Sequence, residues 1–303
     1  MKKTRLVEVL RSFDKKELRE LKKWLHSPIH NQREDVRQLF IYLIDGKRLH
    51  KDHLIEKEKI FSVLFPEETF DDAKMRQVAY FFMKAMESYL IYASAVKDEV
   101  ESKIRLARIY HERQLKREFE ANLTGLNKIL DNAQYIDSIY HKFDYQKNLE
   151  ESRYLSTQKR QVAFEKLQEV SQKLDTYFLS EKLQTSLDML TAQSIYKTEF
   201  DFGILDDILK YIEDKKLYDI PSIGVYYYTF RSLAFRDQEE YYWKLKDLLM
   251  SNLDTFRIQN LKEFFVNLIN YCVGKMNLGR KEFIRESFDL YKTGMEQNIL
   301  TFG

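Results

Sequence analysis

Residues 268–283 read Leu268-Ile269-Asn270-Tyr271-Cys272-Val273-Gly274-Lys275-Met276-Asn277-Leu278-Gly279-Arg280-Lys281-Glu282-Phe283. Leu268, Ile269, Cys272 and Met276 step by one, three and four residues, so they share one face of a helix. Gly279 stands where that helix must stop, because glycine alone enters the left-handed region without a Cβ clash. Phe283 reopens the apolar pattern a few residues later. The stretch is therefore two helices around a tight glycine turn. The same layout lies 42 residues upstream: Phe230 falls over Cys272, Ala234 over Met276, Tyr241 over Phe283 and Leu248 over Leu290. A hairpin that repeats points to an array of stacked hairpins.

Working outward, the breakers are few. Only 3 prolines and 8 glycines interrupt 303 residues, and no run alternates as a strand would. The fold class is all-α. From residue 135 the spacing predicts helices over 135–152, 158–178, 180–198, 203–216, 221–236, 238–252, 257–277 and 280–297, with Gly203, Pro221 and Gly279 at their ends. Residues 135–303 are thus expected to be the repeat region. Leu300-Thr301-Phe302-Gly303 shows no polar cap of the kind such an array needs, so the array is expected to continue beyond it. Upstream, Val100, Ile104, Ala107, His111, Leu115, Phe119, Leu123, Leu126, Leu130 and Ala133 form one long apolar stripe. It predicts a helical connector over 97–134, either unbroken or joined near Asn122 and Gly125.

Residues 1–96 form an N-terminal helical domain. Asp14 with Glu17 makes a capping box, and Phe13 with Leu18 a hydrophobic staple. Asn31 with Glu34 repeats the box pattern before Val36, Leu39, Phe40 and Leu43, and Gly46 closes that helix. A short helix over 55–65 stops at Pro66, and Asp71 or Asp72 caps a long apolar helix. Residues 78–96 are the nearest approach to a membrane span. Lys84 and Glu87 fall inside it and are costly in lipid, so it reads as a buried core helix.

Two resemblances bear on the architecture. Residues 200–297, through the hairpin quoted above, resemble divergent tetratricopeptide repeats, which implies a right-handed stack of antiparallel helical hairpins. The offset of 42 exceeds the usual 34, and the Trp, Ala and Pro positions of that family are not filled. Residues 18–31, with Trp-Leu-His-Ser-Pro, and 60–90, with Leu-Phe-Pro before Phe-Asp-Asp-Ala-Lys, resemble a bacterial family of uncharacterised function. That likeness implies no activity; it implies that the two halves belong to one architecture.

Composition bounds the function. Hydrophobic residues are 44% and charged residues 32%, a folded profile. The net charge of +2 does not by itself imply nucleic acid or a membrane, although residues 1–60 carry +6 and the remainder −4. Cys272 is the single cysteine, which suits a reducing cytoplasm, and the basic start Lys2-Lys3-Thr4-Arg5 lacks the apolar core of a signal peptide.

No motif for chemistry stands out. His26/His30 and His50/His53 have chelating spacings, but Pro28 divides the first pair and no cysteine is near. His111 lies on the apolar stripe as a core histidine. Asp71-Asp72, Asp206-Asp207 and Glu239-Glu240 are adjacent, so they diverge on a helix and favour its N-terminal dipole. No catalytic residue, cofactor or metal site is expected. Lys103, Arg105, Arg108, Arg113, Lys116 and Arg117 are interleaved with glutamates, as on a solvated helix.

Two surfaces remain. Tyr228, Arg231 and Phe235 fall on a face beside the inward stripe of Ile223, Tyr227, Phe230 and Ala234, and Tyr with Arg commonly anchors a protein contact. The expected function is a non-catalytic scaffold or adaptor holding a partner's peptide or helix in a groove between hairpins. The alternative is a DNA-binding transcription regulator: helices around Pro66 form a helix-turn-helix-like pair, with Lys74, Arg76 and Gln77 in the first turns of the second helix and the array as sensor.

Overall fold

The computed structural model describes residues 1, 4–158 and 160–300, and every regular element among them is a helix. The chain divides into two compact units, Met1–Glu99 and Val100–Gly303.

The first unit contains α1 (Arg5–Arg11), α2 (Lys15–His26), α3 (Glu34–Ile44), α4 (Lys57–Leu64) and α5 (Asp72–Lys97). The box at α2 forms: Asp14 accepts from the N–H groups of Lys16 and Glu17, and its own N–H donates to Glu17. The box expected at α3 does not. Asn31 turns its amide back, donating to the carbonyls of Leu25 and Arg33 at 2.9 and 3.0 Å, so it ties the α2–α3 loop instead. Asp71 caps α5 through the N–H groups of Ala73 and Lys74. α5 buries Met75, Val78, Phe82, Ala85, Met86 and Tyr89 against α2 and α3. Its other side leaves Tyr80, Ile91, Tyr92 and Val96 exposed, so it is a half-buried helix and not a central one. Among the described residues no helix is long and apolar enough to cross a membrane.

The second unit opens with α6 (Glu99–Glu112) and α7 (Lys116–Asp131). The stripe over 97–134, expected to be unbroken or joined near Asn122 and Gly125, instead folds back on itself at Gln114, whose φ is +58°. Ile104 meets Leu126 and Leu130, Ala107 meets Phe119, and the Asn122 amide donates to the Lys103 carbonyl at 2.7 Å. Gly125, the expected weak point, lies inside α7, where a Cβ would come within 3.2 Å of the Lys103 ammonium. The glycine makes no turn there, and its near neighbour is the far end of a flexible side chain.

α8 (Ser138–Gln158) pairs along α9 (Arg160–Tyr196). The helices expected at 158–178 and 180–198 are one, because Leu179 and Ser180 pack inward and no glycine or proline interrupts them. α8 is polar even where it is buried. Asp144 pairs with Lys173 at 2.7 Å, and Glu150 takes Arg108 and Arg153 at 2.7 and 3.0 Å. Asp137 pairs with Arg257. Burying charge is tolerated only with such partners.

The rest is α10 (Leu205–Lys215), α11 (Pro221–Ala234), α12 (Glu239–Met250), α13 (Ile258–Asn277) and α14 (Glu282–Glu296). α11 packs on α9 and α12, and α13 on α14, around one core that includes Leu183, Ile212, Tyr226, Tyr242, Phe264, Phe265, Cys272 and Phe283. Gly279 turns the chain between α13 and α14 with φ +83°. After α14 the chain doubles back so that Ile299 and Leu300 donate to the Gly294 carbonyl at 2.8 and 3.0 Å. Residues 301–303, on which the expected continuation of the array depends, lie outside the described residues.

Candidate functional site

The α9, α11 and α13 helices stand side by side, and between their C-terminal halves lies a hollow of about 350 Å³. α9 contributes Leu190, Thr191, Gln193 and Ile195, the last turn of α11 contributes Leu233 and the loop after it Arg236, and α13 contributes Asn267 and Asn270. Arg236 is shared with a hollow of about 260 Å³ bounded by Tyr271, Gly274, Lys275, Asn277 and Leu278. Asn270 is shared with a mainly apolar one of about 280 Å³ between α13 and α14, bounded by Lys262, Val266, Ile269, Tyr291, Ile299 and Leu300. Arg236 and Asn270 thus each border two of the three hollows, and the one between α9, α11 and α13 is the groove considered below.

Helical spacing explains the lining. Lys262, Val266 and Asn270 step by four along α13, and Asn267 and Gly274 lie beside them. The opposite face of α13 carries Leu261, Phe264, Phe265, Leu268 and Cys272 into the core. α11 is buried almost all round, from Ser222 to Phe230, so that only its last turn opens into the groove.

The groove is lined largely by amides, with Arg236 in its lining and Lys262 bordering the neighbouring hollow between α13 and α14. The Gln193 Oε1 is buried without a hydrogen-bond partner. Among the described residues the amides of Asn267 and Asn270 also have no partner, and Arg236 and Lys262 have no ion pair. One turn before Asn267 on α13 lies Glu263, and one turn before Thr191 on α9 lies Asp188. Burial pushes the pKa of both carboxyl groups up, and the Asp188 charge adds to the effect on Glu263. Between them the Tyr226 hydroxyl, pushed up by burial, accepts from Asn260 at 2.8 Å. An unpaired amide offers a donor and an acceptor together, which is the hydrogen-bonding complement of a peptide unit.

Tyr228, Arg231 and Phe235 do not form an exposed anchor on this groove. Tyr228 is 8% exposed, among the rings of Tyr218, Tyr227 and Tyr241, and burial pushes its hydroxyl up to about 12. Arg231 is held by Glu213 and by the Tyr227 hydroxyl at 3.3 Å. Its guanidinium lies 5.2 Å from the Phe235 ring and 5.9 Å from that of Tyr241. Phe235 alone of the three is exposed. The cluster is an internal clasp between α10, α11 and α12, whereas the groove is bordered by Leu233 and, past the end of α11, by Arg236.

Lys74, Arg76 and Gln77 lie on the first turns of α5. Lys74 pairs with Glu68 at 2.6 Å and sits over the Phe65 ring, Arg76 is 3.2 Å from Asp72, and Gln77 is exposed. Lys74 has the Glu68 carboxylate, whereas Arg76 shares that of Asp72 with Lys57. Of the histidines, His26 bonds the Lys22 carbonyl through Nδ1 at 2.7 Å, and His30 stacks on Trp24 with ring centroids 3.5 Å apart. His111 meets Phe119 and Tyr154 edge-on. Glu239 spans to Lys275 and Arg280 at 2.9 and 2.8 Å.

One further pair has a chemical look. The His141 Nε2 is 2.7 Å from the Ser222 Oγ, joining α8 to α11. A nucleophile with its base must meet substrate, and both side chains are buried, so the pair is a cross-link. No family model, curated protein or solved structure matches the chain.

Proposed function

We propose that this protein is a non-catalytic interaction scaffold, and that an extended peptide segment of a protein partner lies in the groove of α9, α11 and α13. The observation carrying the reading is the buried, unpartnered Gln193 Oε1 in a groove whose other amides, Asn267 and Asn270, are also free. An unmet acceptor of this kind costs about 1–3 kcal/mol in the free protein, which a peptide N–H would return on binding. Arg236 would take a carboxylate of the segment. The hairpins α9/α10, α11/α12 and α13/α14 would be successive units of a tetratricopeptide-like array, their first helices lining the groove. A cytoplasmic setting accords with the single buried cysteine.

The test compares proteins retained from nuclease-treated lysate by the unaltered chain, by Gln193→Ala/Asn270→Ala/Arg236→Glu, and by Lys74→Glu/Arg76→Glu. A polypeptide lost only with the groove variant supports the scaffold. Retention that ignores the groove changes refutes it, as does binding confined to nucleic acid and lost with the Lys74/Arg76 variant, the behaviour of a DNA-binding regulator. The pairing of Lys74 with Glu68 and Arg76 with Asp72 weighs against that second reading.

A further inference from the structure

The groove of α9, α11 and α13 is bordered by negative charge as well as by Arg236. On α13, Glu263, Asn267 and Asn270 step by four and three, so the carboxylate shares the face that supplies the groove's amides. On α9, Asp188, Thr191 and Ile195 step by three and four in the same way. Both carboxylates are exposed, the Asp188 charge acts on Glu263, and both act on the Tyr226 hydroxyl of α11. The two acids and the hydroxyl therefore form one cluster, joining all three helices of the groove.

That cluster is unsatisfied in two independent ways. Among the described residues neither Asp188 nor Glu263 has an ion pair or a hydrogen bond, and no cation acts on either, while desolvation pushes both pKa values up. Asp137, the third acid acting on Tyr226, is already held by Arg257. Tyr226 is 1% exposed, and its hydroxyl accepts from Asn260 at 2.8 Å, yet its own proton has no acceptor among the described residues. The acids lack a cation and the buried hydroxyl lacks a carbonyl. A basic residue of a peptide offers both, one from its side chain and one from its backbone.

Arg236, which has no ion pair, stands further along the same groove. It borders the hollow beside Asn270, and Asn270 lies seven residues beyond Glu263, about 10 Å along α13. An extended segment in the polyproline II conformation brings residues three apart onto one side at about 9 Å. Resting on the groove reading above, we propose that the bound segment is dipolar: a Lys or Arg seats on Asp188, Glu263 and the Tyr226 hydroxyl, and an Asp or Glu three positions away seats on Arg236.

Random peptides displayed on phage and selected on the full chain test this. The selected sequences should carry Lys or Arg three positions from Asp or Glu. Selection on Asp188→Lys/Glu263→Lys should replace that basic residue by an acidic one. A selected peptide, made synthetically, should bind Asp188→Asn/Glu263→Gln about tenfold more weakly, the share of one charge-assisted hydrogen bond. Circular dichroism confirms that each variant is folded. Peptides without the basic residue, with it at no fixed distance from an acidic one, or indifferent to the Asp188/Glu263 changes overturn the inference. If such peptides are still lost with Gln193→Ala/Asn270→Ala/Arg236→Glu, the groove reading itself stands. If no peptide is selected, or if those selected ignore the groove variant too, both fall.

Discussion

Gly224 lies in the first turn of α11, and an alanine there should destabilise the second unit although it favours the helix. A Cβ built at this position would stand 2.0 Å from the Tyr218 carbonyl oxygen and 2.7 Å from a methyl of Leu248. The oxygen belongs to the backbone of the tight turn Leu217–Asp219, so relief requires moving the turn away from α11 by about 1 Å, since ordinary contacts lie near 3.2 Å or beyond. Overpacking of this kind costs about 3 kcal/mol, the top of its usual range, and the gain in helix propensity returns about 1 kcal/mol. A net loss of about 2 kcal/mol lowers the melting temperature of a unit this size by roughly 4–8 °C. Gly274→Ala is the internal control. Its Cβ would meet only the Arg236 guanidinium at 3.8 Å, an ordinary contact, so the propensity gain of about 1 kcal/mol stands alone and the transition should rise by roughly 2–4 °C. Scanning calorimetry of both variants decides the matter. A Gly224→Ala protein as stable as its parent would refute the close approach, and a Gly274→Ala protein as damaged as Gly224→Ala would refute the use of Cβ clearance to set the sign.

Three other outcomes follow from the geometry. Burial lowers the His141 pKa, with Lys173 acting in the same direction and Asp144 and Asp137 opposing. The unfolded chain therefore takes up the proton first, near pH 6.5, so the contribution of neutral His141 is full above that pH and is lost as pH falls through the folded value; His141→Gln should flatten this part of the urea midpoint against pH. Gln114→Gly should stabilise the second unit by about 0.5–1 kcal/mol, as glycine adopts φ +58° without strain, and a fall in urea midpoint would refute the fold-back at this residue. Glu150→Ala should cost about 2 kcal/mol, less than for a wholly buried pair because Arg108 and Arg153, each about half exposed, can rehydrate, and an unchanged denaturation curve would contradict the link.

Local signals in the sequence were readable wherever the chain satisfies itself. Asp14 and Glu17 sit three apart and need only each other, and Gly279 turns α13 into α14 without help from afar. Positions decided by distant partners were not. Asn31 has the spacing of a cap but is claimed by Leu25 and Arg33 carbonyls. Gly125 resembles a breaker until Lys103 is seen lying on it, and Gln114 resembles nothing until the pairing of Ile104 with Leu126 forces the chain to turn there. The groove was hidden for the same reason. Periodicity marks α11 as amphipathic, yet neighbours cover nearly all of it, so its Tyr228 and Arg231 turn to internal partners and the opening falls to Leu233 and Arg236. Asn260, Asn267 and Asn270 on one helix were the available hint, and an amide on α13 acquires meaning only when α9 brings Gln193 alongside.

The Cys272 thiol is wholly buried beneath α12 and α14, its sulfur 3.1 Å from the Tyr242 hydroxyl, and burial pushes its pKa up. A thiol reagent can therefore reach it only through openings of these helices, and the rate of its modification is a clock for those openings. Since the chain holds one cysteine, the clock needs no engineered residue and has no second thiol to confuse it. A ligand that braces the groove along α13 should slow it, and a cysteine placed by design at any exposed position would react long before the native one.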